Sequence, residues 1–535
     1  MLGLNYGLPP IGDYGLIGDT RTAALVSADG AIDWLCVPGF DGDPMFGRLV
    51  GGPQAGTFRL GPAGRSRSSR RRYHPASATL ETTWDTATGR LVLAEGMVAE
   101  VTGRLLPTTL LVRRLEAEGG PVQAGIEFDP RLGERHRRPK AQRRGDALVC
   151  QWDRSPSPSR RSRHCGSSQG ARCGSRSCRA SRSPSWSPWP AASRWSTSIP
   201  MRRGPALLDD ERRWQAWSND IDDLPERDAV VRSLLTLRLL TYSPSGAPVA
   251  APTTSLPEQP GGIRNWDYRY AWPRDASIGI GAFLGVGKTD EARLFMAWLL
   301  HATRLARPRL PVLLTLHGKH PPAERELQDW PGYACSRPVR FGNGAADQHQ
   351  LDGYGWVLDG AWLLTRAGQR LYSETWRAMR GFADHVAQRW MEPDAGIWEI
   401  RGDAAHHVHS KLMAWLALDR TLRIAAELGA SQRRRRWWQA QRDAIAAEVT
   451  SRGFNTSKAS YTRSYGSNDL DAAVLVLPLL GIEPPDSPAS TAPSTPSSAN
   501  WEPPGPCCTA TRPATTGSPA PREHSFRARS GWSRR

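Results

Sequence analysis

Apolar and polar positions alternate with a period of two through roughly the first 150 residues. "TAALVSADGAIDWLCVP" holds two half-apolar runs with Asp29-Gly30 between them, the pattern of a β-hairpin. "TLETTWDTATGRLVLAEGMV" repeats the plan with a turn near Gly89, and "TTLLVRRLEAEGGPVQAGIEF" repeats it around Gly119-Gly120. Three successive hairpins predict an antiparallel β-sandwich. From about residue 206 to 483 the apolar period becomes that of a helix. Helices are expected near 224–241, 274–286, 289–306, 347–368, 372–390, 409–429, 431–450 and 468–480. In "HSKLMAWLALDRTLRIAAELG", Leu412, Trp415, Leu416, Leu422 and Ala426 share one face, and Gly429 supplies the stop. Loops 251–273 and 307–346 are long and rich in aromatic and charged residues. Loops of that length inside a compact domain are usually functional.

Two stretches follow neither period. Residues 154–203 alternate Ser, Arg and Pro, and residues 484–535 carry eleven prolines with almost no aliphatic side chain. They read either as a disordered linker and tail or as segments translated out of frame from a GC-rich gene. The second reading also accounts for the abrupt change after "ALVCQWD", where a further strand is expected, and for the abrupt return of helical order at "LLDDERRWQAW". The chain is therefore expected to divide into a β domain (1–153), the Arg/Ser-rich segment (154–203), a helical domain (204–486) and a Pro/Ser-rich tail (487–535).

Charge changes this picture little. The net +18 invites a nucleic-acid reading. Yet residues 154–203 carry +11 and 484–535 carry +3, which leaves only +4 on the other 433 residues. The same two segments hold five of the eight cysteines, and Cys36, Cys150 and Cys335 form no disulfide pattern. No apolar run approaches the roughly 18–20 residues of a membrane span. "MLGLNYGLPPIGDYGLIGD" has no basic n-region or long apolar h-region, so a cytoplasmic protein without a signal peptide is expected.

The candidate chemistry begins at "EPDAGIWEIRG" (392–402), where Glu399 follows Trp398 directly. A carboxylate against an indole face is partly desolvated, which raises its pKa and suits it to general-acid work. Other motifs carry less. "GAFLGVGKT" (281–289) lacks the first glycine of a phosphate loop, since Ala282 stands there, and reads as a helix end. "HHVHS" (406–410) does not present its histidines to one ion, and no metal is expected. Asp347 and Asp352 flank "QHQL" at a spacing that suits either helix capping or a site. "RRRRWW" (433–438) reads as a solvated helix face followed by packed tryptophans.

Four stretches together resemble glycoside hydrolase family 15, the glucoamylases and their bacterial trehalase-type relatives. They are "PPIGDYGLIGDTRTAALVSADGAIDWLCVPGFD" (9–41), "RNWDYRYAWPRDAS" (264–277), "PGYACSRPVRFGNGAADQHQLDGYG" (331–355) and "EPDAGIWEIRG…HSKLMAWLALDR" (392–420). The resemblance covers about 1–152 and 206–486. It implies a mixed β then all-α chain: an N-terminal antiparallel β-sandwich on an (α/α)6 barrel. By helix count that barrel is incomplete at its C-terminal end. It also implies a small α-glucoside substrate, either trehalose or malto- and isomalto-oligosaccharides, hydrolysed with inversion. No cofactor, nucleic acid or membrane partner is implied.

Carried over by motif, Glu399 matches the family's general acid. Arg274 and Asp275 of "WPRD" match the pair that grips the hydroxyls of the terminal glucose. Trp272 and Trp398 match aromatic positions lining that pocket. Arg337 falls in a motif bordering the site, and Lys411 and His409 follow the acid closely. Inverting hydrolysis sets two carboxyl groups about 6.5–9.5 Å apart with a water between them. The family's general base is a glutamate well downstream of the acid, and nothing after Asp486 resembles its motif; Glu502 and Glu523 lie in Pro- and Arg-rich surroundings. Loss of a base typically costs about 10²–10⁴-fold, so residual activity at best is expected. The competing functions are a non-catalytic sugar-binding remnant and, more remotely, RNA binding through 154–203. Salt-sensitive RNA binding lost on deleting 154–203 would mark the latter.

Overall fold

A computed structural model describes residues 7–64, 66–101, 104–144, 147–152, 195–198, 204–221 and 224–482. The tail 487–535 and all of 154–203 except 195–198 lie outside the described residues.

The β region opens with β1 (Gly15–Gly18), β2 (Ala23–Val26), β3 (Ala31–Val37), β4 (Asp43–Phe46), the single-turn helix α1 (Arg48–Gly51) and β5 (Thr57–Pro62). It continues with β6 (Ser68–Tyr73), β7 (Leu80–Asp85), β8 (Arg90–Val101), β9 (Arg104–Glu118) and β10 (Ala124–Asp129). Last come β11 (Lys140–Arg144), β12 (Ala147–Gln151) and β13 (Trp195–Ser198). All pairings are antiparallel. A six-stranded sheet runs β1-β2-β3-β5-β10 with β4 on β3, a four-stranded sheet runs β6-β7-β8-β9, and β11-β12-β13 form a third. Ile17, Val26, Ile32, Leu35 and Phe46 of the first sheet share a core with Leu80 and Met97 of the second.

The hairpins at Asp29-Gly30 (β2–β3) and near Gly89 (β7–β8) form as expected. The third does not. β9 pairs with β8, while β10 crosses to the other sheet and pairs with β5. Packing decides this: Phe128 of β10 sits edge-on to Phe58 of β5 with centroids 5.1 Å apart. Gly119-Gly120 is thus a crossover between sheets rather than a hairpin turn. At Gly120 (φ 156°) an added Cβ would stand 2.2 Å from the Thr88 carbonyl oxygen, so only glycine fits.

The helices are α2 (Gly204–Ser218), α3 (Arg227–Leu239), α4 (Pro273–Leu284), α5 (Thr289–Thr303), α6 (Asp352–Arg366), α7 (Ser373–Arg389), α8 (Val408–Leu428) and α9 (Gln432–Arg452). Seven match expected helices. α2 falls on "LLDDERRWQAW", where helical order was expected to return although no helix was bounded there; Asp210 accepts the Ala99 amide of β8 and Trp214 is buried. The helix expected at 468–480 is only a 3-10 turn, Ala472–Val476. Leu477 is buried, but Leu475 is 51% and Leu479 85% exposed, so little of the run's apolar surface is covered, and Pro478 interrupts it. Alternate helices α4, α6 and α8 pack side by side, each followed by an outer partner.

The two regions share buried contacts. Trp34 Nε1 of β3 donates to the Pro252 carbonyl at 2.6 Å, and Trp330 Nε1 donates to the Glu134 carbonyl at 2.9 Å. Arg269 and Asp267 form an ion pair at 2.8 Å, 2% and 0% exposed, and the same guanidinium donates to the Gly42 carbonyl at 2.8 Å. Burial pulls the Arg269 pKa down, but Asp267 more than offsets it and holds the charge in place. The long loops 251–273 and 307–346 are therefore clamped on the β region, and they bring Tyr268, Trp272 and Leu310–Val312 to the site. No helix among the described residues is long and apolar enough to cross a membrane.

Candidate active site

Trp272 precedes helix α4, and Pro273 occupies its first turn, where a fixed φ and a missing N–H cost nothing. Arg274 and Asp275 follow in the same turn. The Arg274 fork reaches three partners: Nη1 donates to Gln350 Oε1 and Asp352 Oδ2, both at 3.1 Å, and Nη2 to Glu399 Oε1 at 3.1 Å. Trp272 Nε1 donates to the same Glu399 oxygen at 2.7 Å. Glu399, 15% exposed at its side chain, thus has one oxygen held by two donors. Burial would lower the Arg274 pKa, but Asp352, Asp275 and Glu399 hold it above its ordinary value. Burial pushes Asp275 up to about 6, with Arg274 opposing and Glu399 and Asp352 adding to the rise.

Glu399 rides on the loop between α7 and α8. Its backbone sits at φ 54°, a conformation that non-glycine residues adopt only where their surroundings hold them. Its N–H donates to the Gly396 carbonyl at 3.1 Å, and Gln348 Nε2 donates to the carbonyls of Glu399 and Ile400 at 3.3 and 3.0 Å. Asp394 and Ala405 close the loop by a backbone bridge, and Asp394 Oδ2 accepts the Leu351 amide at 2.9 Å.

Burial pushes the Asp394 carboxyl up to about 7, against the Leu351 and Ser410 hydrogen bonds. The fold therefore binds a proton there that the unfolded chain releases near pH 4. Stability is expected to fall as pH rises from about 4 through about 7. Asp394→Asn should flatten that fall, as measured by denaturant unfolding at several pH values.

Three residues expected in the pocket stand elsewhere. Trp398 is 49% exposed, and its Nε1 donates to both carboxylate oxygens of Asp471 at 2.9 Å. The indole that touches Glu399 is that of Trp272, and it does so through its N–H rather than its face. Arg337 is exposed and donates to the Gln328 carbonyl. Lys411 is fully buried and donates to the carbonyls of Trp390 and Glu392, capping the end of α7. Burial brings its pKa down to about 8.

His409 is also buried, lies near Asp352 and Arg274, and has no hydrogen-bond partner on either ring nitrogen among the described residues. Asp347 is exposed and pairs with His320 at 3.1 Å, whereas Asp352 joins the site.

Gln348, Gln350 and Tyr268, not singled out from sequence, complete the arrangement with Asp352. Gln348, Gln350 and Asp352 alternate in "QHQLD", and that i, i+2 spacing was the available signal that all three face one side. Tyr268 packs on Trp272 with centroids 5.8 Å apart, and burial, with Glu399 adding, pushes its hydroxyl up to about 12. Leu310, Pro311 and Val312 line a small cleft beside Arg274 and Gln350. Of the site's groups only Arg274 and Gln350 line that cleft; Glu399, Trp272 and Tyr268 adjoin it through Arg274. A guanidinium fork with a carboxyl group and two aromatic rings beside it suits a polyhydroxylated ligand: the fork takes hydroxyls in one plane and the rings take apolar faces.

Comparison with known proteins agrees in kind. Residues 225–502 match the model of Glycosyl hydrolases family 15, and residues 6–152 match that of the trehalase-like N-terminal domain. The chain is 34% identical to a trehalase of Mycolicibacterium smegmatis over 90% of this chain and 75% of that protein. It is 35% identical to a trehalase of Mycobacterium tuberculosis over 90% and 74%. It is 32% identical to trehalase 1 of Sulfolobus acidocaldarius over 88% and 79%.

Proposed function

Because the chain belongs to glycosyl hydrolases family 15, we propose that its cleft takes one glucose unit of trehalose and that Glu399 protonates the oxygen joining the two sugars. The observation that carries this reading is the pair of donors on Glu399 Oε1, which fixes one oxygen and leaves the other for the leaving group. Arg274 and Asp275 grip the hydroxyls of the held glucose, and Trp272 and Tyr268 pack against its apolar edge. Inversion then requires a water activated on the opposite face of the ring. We assign that base to no described residue, because Asp352 is hydrogen-bonded to Arg274 and Asp275 lies against the same guanidinium. Trehalose is favoured over malto-oligosaccharides by the names of the relatives.

Azide tests the reading, because it attacks without needing a base. The purified chain in trehalose alone should release glucose roughly 10²–10⁴-fold more slowly than a hydrolase with both carboxyl groups. With sodium azide it should form β-glucosyl azide and one glucose, the departing glucose taking the Glu399 proton, and Glu399→Gln should abolish that product. Brisk hydrolysis unaffected by azide would place a base within the chain. Glucose binding with no azide product would favour the sugar-binding remnant, for which the intact Arg274 grip is the supporting observation.

A further inference from the structure

Arg401 lies two residues beyond Glu399 and does not line the cleft. Its Nη2 donates to Glu324 Oε2 at 3.0 Å and to Asn343 Oδ1 at 2.9 Å, and its guanidinium carbon stands 4.4 Å from the centroid of Trp266. Arg340 stands 4.5 Å from the same ring and donates to the carbonyls of Ile263 and Asn265 at 3.0 and 3.2 Å. Glu324 also accepts the Gly344 amide at 2.9 Å and lies 3.5 Å from Arg340 Nε. Asn343, 1% exposed, donates in turn to the Asp267 carbonyl at 3.0 Å.

These contacts join three separate segments. Trp266 precedes Tyr268 and Trp272 on the loop leading into Arg274 of α4, Glu324, Arg340 and Asn343 belong to a second, and Arg401 belongs to the loop carrying Glu399. Glu399 itself holds a left-handed backbone, so its carboxyl direction depends on what fixes the chain on either side. Upstream, that is the turn closed on Gly396. Downstream, Gln348 holds the carbonyls of Glu399 and Ile400, the Ile400 amide donates to the Ala395 carbonyl at 3.2 Å, and Arg401 is the side-chain anchor just beyond them. A planar fork with five donors, lying over an indole, sets both a position and an orientation, which a lysine's point charge does not.

We infer that Arg401 is a positioning residue: docked on Trp266, Glu324 and Asn343, it aims the Glu399 carboxyl at the leaving-group oxygen. The inference rests on the reading of Glu399 as the acid.

Two probes of the same cleft test it by calorimetry. D-glucose is neutral and depends on the Arg274 and Asp275 grip. 1-Deoxynojirimycin, with its ring amine protonated, adds an attraction to the Glu399 carboxylate. The wild-type chain should prefer the cation, and Glu399→Gln should reduce that preference. Arg401→Ala should reduce it by about 10-fold or more while glucose affinity stays within about 3-fold, and Arg401→Lys should restore only part of it. Glu324→Gln, which keeps the size of its partner, should act in the same direction if Arg401→Ala does not fold.

A preference that survives Arg401→Ala but falls in Glu399→Gln would overturn the inference alone. Equal losses for both probes would do the same, since they would mark a merely structural role. A preference untouched by Glu399→Gln would overturn the acid reading, and the inference with it.

Discussion

Arg274→Ala is expected to abolish measurable glucose binding and to destabilise the chain by roughly 3–5 kcal/mol, the usual cost of stranding a buried charge. Asp352 has no exposure at its side chain and loses its cationic partner outright. Glu399 loses one of its two donors, and Asp275 loses the charge that opposes its burial. Calorimetric titration with glucose and denaturant unfolding read the two effects separately. Arg274→Lys should recover part of the stability and little of the binding, because one ammonium cannot meet Gln350, Asp352 and Glu399 in the geometry of the fork. Full glucose affinity in Arg274→Ala would remove this cleft as the sugar site.

Arg269→Ala is expected to destabilise the chain by a similar 3–5 kcal/mol, since Asp267 at 0% exposure would be left charged and unpaired. The damage should extend to the site. Asp267 accepts the Gly342 amide at 3.1 Å, and its carbonyl accepts from Asn343, so its displacement disturbs the loop that holds Arg401. Weaker glucose binding should therefore accompany the lower stability. The double variant Arg269→Met, Asp267→Leu should lose less stability than Arg269→Ala, because no lone charge remains. Denaturant midpoints for the three chains decide this.

The parts of the fold legible in the sequence were those set by local pattern. β2–β3 and β7–β8 announce themselves by alternation around a glycine turn, and α8 by an apolar face ending at Gly429. What could not be read was set by partners distant in the chain. β9 and β10 look like a hairpin, yet Phe58 draws β10 into the other sheet. The 468–480 stretch has helical spacing but buries only Leu477 of its leucines, leaving Leu470, Leu475 and Leu479 exposed, and spacing with so little burial rarely sustains a helix.

The site divides in the same way. Trp272, Arg274 and Glu399 were legible through their motifs, and the structure brings them into hydrogen-bond contact across more than 120 residues of chain. Trp398 and Arg337 were carried over with their motifs and Lys411 by its nearness to the acid along the chain, and neither a motif nor nearness fixes where a side chain turns in a loop. Trp398 adjoins Glu399 in sequence and turns to Asp471, while Lys411 turns under the loop to cap α7. Asp352, left open between capping and site, is bound to Arg274 from the first turn of α6, next to Gln350, which meets the same guanidinium nitrogen.

The joint between sheets and helices has a consequence for how the molecule comes apart. Ala23, Phe40 and Ala78 of the β region lie in the same apolar cluster as Leu235, Phe295 and Tyr354 of the helices, and Trp34 and Arg269 reach across with hydrogen bonds. Neither part completes its interior alone. The two halves should melt in a single cooperative transition, with the sheets acting as a keystone whose loss takes the cleft and the helices with it.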